Sequence, residues 1–326
     1  MAFRPYAVVT GANKPSIGFR TAQLLAGEPF RYRVILACRS GLRGREAQAA
    51  IERADPGAFV RFMPLDLASL ESVRSFASAL QECDGVKEHG LSVLVNNAGV
   101  GFGRDQQRKV TADGFERAFG VNHLGHFLLS NLLLPALKRA SSARVVVVSS
   151  SLHDPGQRGG QRGRGTTLGD LSDLQLEEPG TYEAGYAYRR SKLANVLFTY
   201  ELQRRLRADG CTTVVVNALN PGFIPQTGLV REAGLLGRFF LRYVLDGLLR
   251  VIGVVTFTRT VDDGATVTVL CATDAVGGRP VAGMGSGQYF EYTRSGVFRA
   301  HASSEESYDE LKAKRLWEVS AELTGC

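Results

Sequence analysis

The sequence predicts an α/β protein built on one doubly wound parallel sheet, with helices on both faces and an amphipathic lid and C-terminal helix added. Three observations predict it. Short β-branched runs alternate with helical patterns, the runs are apolar throughout rather than at every second residue, and a glycine-rich turn follows the first run. The runs are "YAVVT" (6–10), "RVILAC" (33–38), "FVRFM" (59–63), "LSVLVN" (91–96), "RVVVVS" (144–149) and "TVVVNAL" (213–219). Continuous apolar character marks strands covered on both faces, and the intervening segments are the covering helices. No internal repeat and no interdomain linker is visible, so residues 1–326 are read as one domain.

The helix after the fifth strand is the easiest to define. Leu193, Val196, Leu197 and Tyr200 recur at i, i+3, i+4 and i+7, and "ELQRRLRADG" closes the helix with arginines and a glycine. Tyr188, Lys192, Asn195 and Thr199 form a second stripe. Two side chains at i,i+4 have β-carbons about 5–6 Å apart, so an ammonium at 192 can act on a phenol at 188. A neighbouring positive charge favours tyrosinate and draws the pKa down from about 10 toward neutrality. Such a pair suits proton transfer, but the same spacing also occurs on ordinary surface helices.

Two further segments stand apart. "DPGQRGGQRGRGTT" (154–167) is rich in glycine and arginine and reads as a mobile surface loop. Residues 227–258 carry Arg238, Arg242, Asp246 and Arg250 as an i+4 stripe on an otherwise apolar helix. Within this segment, 229–257 is read as a lid over a lipophilic small-molecule substrate, with Phe239, Phe240 and Tyr243 on its apolar face. A homo-oligomer contact, core packing and peripheral membrane contact through the basic stripe are the alternatives. The last segment, 303–323, reads as a helix opened by a capping box from Ser303 to Glu306 and supported by a Glu310–Lys314 pair.

Charge and cysteine content limit the partners. The net charge is +7, and only seven of the 39 basic residues are lysine. Basicity of this kind fits nucleic acid, an anionic surface or a phosphorylated cofactor. No RNA-binding signature or Cys/His finger is present, so no nucleic-acid partner and no metal site are expected. The five cysteines lack CxxC spacing and read as buried free thiols of a reducing compartment. The chain enters its first strand within about five residues of Met1, and no uncharged apolar run reaches about 18 residues. A cytoplasmic or peripheral-membrane location is expected.

The first strand leads into "VVTGANKPSIG", which opens a helix where a doubly wound sheet binds pyrophosphate on backbone N–H groups. Gly11 and Gly18 are the outer glycines, with Asn13, Lys14, Ser16 and Ile17 between them. Pro15-Ser16 stands where a tight turn would have glycine, and the loop is one residue longer than a GxxxGxG turn. Taken alone, the segment is equally an ordinary strand-to-helix turn. About twenty residues on, where an NAD enzyme places an acid, the second strand ends in Arg39. Arginine there suits the 2′-phosphate of NADP, with Lys14 as a second cation, or is a solvated strand-end charge. Asp66, beside Leu67, is placed either for an adenine amino group or for a helix N-terminus.

Together these segments resemble the short-chain dehydrogenase/reductase family. "TGANKPSIG" (10–18), "LDL" (65–67), "NNAG" (96–99), "NHLGHF" (122–127), "VVVVSSS" (145–151), "YRRSK" (188–192) and "NPG" (220–222) follow the family's order over roughly residues 5–228. The resemblance implies a Rossmann-type fold, NADPH (NADP) as cofactor and a catalytic tetrad. Asn122 would hold a water on the proton relay, Ser150 would bond the substrate oxygen, Tyr188 would exchange the proton and Lys192 would bind the nicotinamide ribose and lower the tyrosine pKa. Ser149 and Ser151 remain alternatives to Ser150. Asn97, Ala98 and Gly99 would line the adenine-ribose side, and Pro221, Gly222 and Thr227 the nicotinamide side.

Two branches compete. "AYRRSKLANVLFTYELQRRL" resembles retinol-dehydrogenase-like carbonyl reductases. "TTLGDL", "NPGFIPQTGLVRE" and the tail "SGQYFEYTRSGVF" with "SSEESYDELKAKRLWEVSAEL" resemble light-dependent protochlorophyllide oxidoreductase, although that branch's cysteine after "PG" is Phe223 here. The reading favours an NADPH-dependent carbonyl reductase of a bulky lipophilic substrate. C=C reduction by the photochemical route and a catalytically silent NADPH-binding sensor are the alternatives.

Overall fold

The computed structural model describes residues 4–101, 107–157, 160, 165–224, 259–276, 279–280, 284–293 and 296–326. Six strands form where the apolar runs lie: β1 Tyr6–Thr10, β2 Arg33–Cys38, β3 Phe59–Pro64, β4 Val93–Asn96, β5 Ala143–Val148 and β6 Val214–Leu219. β7 Ala275–Val276 and β8 Arg279–Pro280 make a small separate hairpin, and β9 Tyr289–Tyr292 and β10 Phe298–Ala300 extend the main sheet. The order is β10-β9-β6-β5-β4-β1-β2-β3, parallel throughout except for β10 against β9. Chain order reverses between β1 and β4, which opens a crevice at their C-terminal ends.

The continuous apolar strands are buried residue by residue, with β1 and β4 covered at every position. β3 departs from this pattern: exposed and buried residues intermix along it, because it is the edge strand and one side lacks a neighbour. Helices α1 Ile17–Ala26, α2 Gly41–Ala54 and α8 Val261–Thr273 cover one face. The other face carries α3 Leu70–Gln81, α4 Asp84–His89, α6 Gly125–Arg139, α7 Ala184–Ala208 and α9 Glu310–Thr324. A short turn of helix, α5 Arg117–Phe119, and a π-helical turn, Gly120–Leu124, lead into α6.

Four expectations need correction. α7 is not a helix with one covered stripe: nearly every residue from Ala184 to Gln203 is buried, because the sheet, the π-turn and α9 enclose it. The C-terminal helix begins at Glu310 under an Asp309 cap rather than at Ser303. Ser303 is instead bonded to Tyr200 and Ser307, and Glu306 accepts the Leu168 N–H and pairs with Lys312, so neither side chain is available for a capping box. Glu310 lies near Arg204, 3.8 Å away, and forms no ion pair with Lys314. Only Cys38 and Cys271 of the five free cysteines are buried, while Cys326 is exposed.

The 229–257 lid and Thr227 lie outside the described residues, as does much of the 154–167 loop. At its N-terminal end Pro155 and Gly156 are exposed, while at its C-terminal end Thr166 is buried and donates to the Leu152 carbonyl. Among the described residues no helix is long and apolar enough to cross a membrane.

Candidate active site

The crevice between β1 and β4 is floored by backbone. Thr10, the last residue of β1, places its hydroxyl where the N–H groups of Asn97 and Ala98 both donate to it at 2.9 Å. Its oxygen also lies 2.9 Å from His126 Nε2. The other ring nitrogen, Nδ1, lies 3.1 Å from the Asn122 carbonyl. A carbonyl can only accept, so Nδ1 carries the proton and Nε2 is an acceptor facing the Thr10 hydroxyl, whose single proton is shared with the Val95 carbonyl at 3.2 Å. Burial holds the ring neutral by lowering its pKa to about 4. The end of β1 is thereby tied through one imidazole to the π-turn carrying Asn122. Neither Thr10 nor His126 was singled out from sequence, although both lie inside motifs read for other residues.

The glycine turn fits a dinucleotide. Gly11 has φ +68°, and a β-carbon on Gly18 would lie 2.4 Å from Asn97 Nδ2 and 2.9 Å from the Gly11 carbonyl oxygen. Only glycine permits this approach. Ser16 takes over from the missing middle glycine: its hydroxyl donates to the Gly11 carbonyl and caps α1 by accepting the Phe19 N–H. Ile17 and Gly18 open α1, whose first turn contains no acidic residue, so orphan N–H groups and the positive helix end face the crevice. Asn97 Nδ2 donates to the Thr10 carbonyl. Lys14 and Arg39 are exposed at the rim. Asp66 accepts the Ala68 N–H in a local turn, and the Leu67 side chain packs into the core rather than toward the crevice.

At the end of β5 the three serines separate by partner. Ser149 is buried and donates to the Lys192 carbonyl. Ser150 is hydrogen-bonded to the Tyr188 phenol. Ser151 starts the short 3-10 turn to His153, whose cap is Ser150. Lys192, one turn beyond Tyr188 on α7, donates to the Val148 carbonyl at 2.9 Å, and its nitrogen lies 5.6 Å from the Tyr188 ring centroid. Asn122 is pinned on both sides: Oδ1 accepts the Val100 N–H, and Nδ2 donates to the Val100 carbonyl and to Ser191 Oγ. Gly99 is the contact point, since a β-carbon there would sit 3.2 Å from Asn122 Oδ1 and 3.6 Å from Lys192 Nζ. The structure thus brings Asn122, Ser150, Tyr188 and Lys192 to one place. Pro221 and Gly222 follow β6, with Gly222 at φ +87°.

The electrostatics differ from the expected lowering of the phenol by Lys192. Burial pushes Tyr188 up to about 12, with the Ser150 hydrogen bond pulling the other way. Burial also lowers Lys192 to about 8. Desolvation acts on both groups and outweighs the i,i+4 attraction inferred from spacing. Among the described residues no group of three His, Cys, Asp or Glu side chains could hold a metal ion.

Residues 5–160 match the short chain dehydrogenase family model. The chain is 38% identical to human retinol dehydrogenase 12 over 318 residues, 98% of this chain and 85% of that protein. The chain belongs to the short-chain dehydrogenase family. It is also 40% identical to the WW domain-containing oxidoreductase of Gallus gallus, over 97% of this chain and 67% of that one. A crystal structure of an uncharacterised protein from Mycobacterium paratuberculosis aligns with TM-score 0.70 and 31% identity, covering 98% of this chain and 93% of that chain. This short-chain dehydrogenase is therefore an oxidoreductase that uses a nicotinamide cofactor, and it resembles retinol dehydrogenases.

Two outcomes follow from this geometry. Thr10→Val leaves the half-buried Ala98 N–H and one buried imidazole nitrogen without partners, while the Asn97 N–H keeps the Val95 carbonyl, and should cost about 1–3 kcal/mol in denaturant unfolding. Thr10→Ser should recover most of that, and equal stability of Val and wild type would contradict the junction. Lys192 loses its proton as pH rises through about 8. With the ammonium as the active form, kcat/KM for the nicotinamide cofactor should fall about tenfold per pH unit above that point, and a flat profile to pH 10 would contradict it.

Proposed function

We propose that the protein is an NADPH-dependent carbonyl reductase of a bulky lipophilic substrate, with Tyr188 as proton donor. The observation that carries this reading is the Tyr188 phenol, bonded to Ser150 and kept protonated by burial beside the dinucleotide crevice. Bound NADPH supplies the hydride. Hydride arrival leaves alkoxide character on the substrate oxygen, so donors aimed at that oxygen stabilise the transition state. Ser150 and Tyr188 are those donors, and Tyr188 gives up its proton to complete the alcohol. Lys192 places a cation one helical turn away, which offsets the tyrosinate left behind. Asn122 holds Val100, and with it Gly99, against Lys192.

Ile17, Gly18 and Ser16 at the start of α1 take the pyrophosphate, with Asn13 in the same loop. Asn97 to Gly99 line the ribose, and Asp66 faces the adenine end. Pro221 and Gly222 take the nicotinamide side, with Thr227 beyond the described residues. Arg39, exposed where β2 ends, and Lys14 supply the charge that selects the 2′-phosphate. A lipophilic substrate is supported by the retinol dehydrogenase relatives. Of the segments that favoured a photochemical C=C reduction, the tail supplies β9, which extends the sheet, and most of α9, which covers α7.

Tyr188→Phe, assayed with NADPH and a panel of lipophilic aldehydes including retinal, should lower kcat by about 10³-fold with NADPH affinity within about twofold of wild type. Unchanged turnover would remove Tyr188 as donor, and tight NADPH binding without oxidation across the panel would favour a silent sensor. Arg39→Asp should shift preference toward NADH by at least about tenfold, and an unchanged ratio would contradict the 2′-phosphate assignment.

A further inference from the structure

His153 lies outside the proposed chemistry but bonds directly to the backbone of one of its residues. The ring is 1% exposed and lies against Tyr289, with centroids 4.8 Å apart. Its Nδ1 is 2.7 Å from the Ser150 carbonyl, and its Nε2 accepts the Ser304 N–H at 3.0 Å. A carbonyl only accepts and an amide only donates, so a single tautomer satisfies both ends: neutral, with the proton on Nδ1. A second ring proton would meet the Ser304 N–H head-on.

The far end of this link is itself anchored. Ser303 Oγ lies 2.7 Å from the Tyr200 hydroxyl and 2.6 Å from Ser307 Oγ, and Ser307 Oγ donates to the Ser304 carbonyl. The anchor therefore returns to α7, the helix that carries Tyr188 and Lys192.

We propose that His153 is a positioning residue for Ser150: its Nδ1–H holds the Ser150 carbonyl, with the Ser304 amide fixing the ring, so that the Ser150 hydroxyl stays aimed at Tyr188 and the substrate oxygen. The Ser150 carbonyl also accepts the His153 backbone N–H at 3.1 Å, the imidazole adds a second, shorter bond to the same oxygen, and the Leu152 N–H donates to the serine hydroxyl oxygen at 3.3 Å. This inference rests on the proposed carbonyl reduction. It assigns a role in that reaction to the chain between Ala302 and Ser307, far from the crevice in sequence.

The test combines two variants with a measurement that needs neither. His153→Phe keeps a ring against Tyr289 and loses both hydrogen bonds; His153→Asn keeps an N–H able to reach the Ser150 carbonyl. The phenylalanine variant should lose about 10- to 100-fold in kcat, with substrate KM and NADPH affinity within about twofold of wild type, and the asparagine variant should regain most of the loss. A phenylalanine variant with wild-type kcat, or two variants that lose kcat equally, would overturn the assignment. If neither variant folds, ¹⁵N NMR of the histidines in the wild-type protein decides. A ring with Nδ1 protonated that does not titrate between about pH 5.5 and 8 is expected, and an Nε2–H tautomer or titration near the ordinary value of about 6.5 would overturn it. Should Tyr188→Phe retain turnover, the carbonyl-reductase reading fails on its own. A dead Tyr188→Phe beside a fully active His153→Phe would sink only the present inference.

Discussion

A buried cation standing on a carbonyl, Lys192 on Val148, is the constraint around which the site is arranged. An ammonium taken out of water is costly unless its protons find acceptors. Burial shows its effect by lowering Lys192 to about 8, and the Val148 carbonyl is the partner that makes the position tolerable. For that bond to form, α7 must lie directly over the C-terminal end of β5, and this placement sets Tyr188 above Ser150. α9 holds α7 down: Trp317 stacks on Phe198 at 5.8 Å and packs edge-on to Phe127 at 4.8 Å, while Arg205 lies 4.4 Å from the Trp317 ring centroid. The C-terminal helix is thus part of the support for the site, although it touches none of its reacting groups.

Two neutral histidines do similar work on opposite sides of the cluster. His126 joins the Thr10 hydroxyl to the Asn122 carbonyl, and His153 joins the Ser304 amide to the Ser150 carbonyl. In each case a backbone carbonyl of a site residue receives an Nδ1–H from a ring whose other nitrogen is already committed. Burial keeps both rings uncharged, lowering each below the ordinary histidine value. Held in this way, loop and turn residues gain the fixed geometry that catalysis requires of its supports.

Much of the fold was legible because the parallel strands are buried on both faces, and a run such as "RVVVV" has few other uses. β9 and β10 were not read from "QYFEYTRSGVF", where polar and aromatic residues mix, as they do in strands near a sheet edge. The C-terminal helix was placed too early because Ser303 and Glu306 have capping-box spacing, yet tertiary partners claim both side chains. Within the site, the residue types and the i,i+4 spacing of Tyr188 and Lys192 were visible, but their desolvation was not. Spacing shows that two groups are close and says nothing of the water removed from around them, so the expected direction of the phenol shift was reversed. Choosing among Ser149, Ser150 and Ser151 likewise needed coordinates, because only their partners distinguish them.

The central claim is that the Ser150–Tyr188–Lys192 cluster faces the reactive end of a dinucleotide lying along the β1–β4 crevice. A crystal structure of the protein with NADP⁺ tests it most directly. The account predicts the pyrophosphate at the start of α1, the nicotinamide ribose within hydrogen-bond reach of Lys192, and the Tyr188 hydroxyl open to the space beside the nicotinamide ring. A dinucleotide bound elsewhere, or a Tyr188 hydroxyl directed away from that ring, would contradict it.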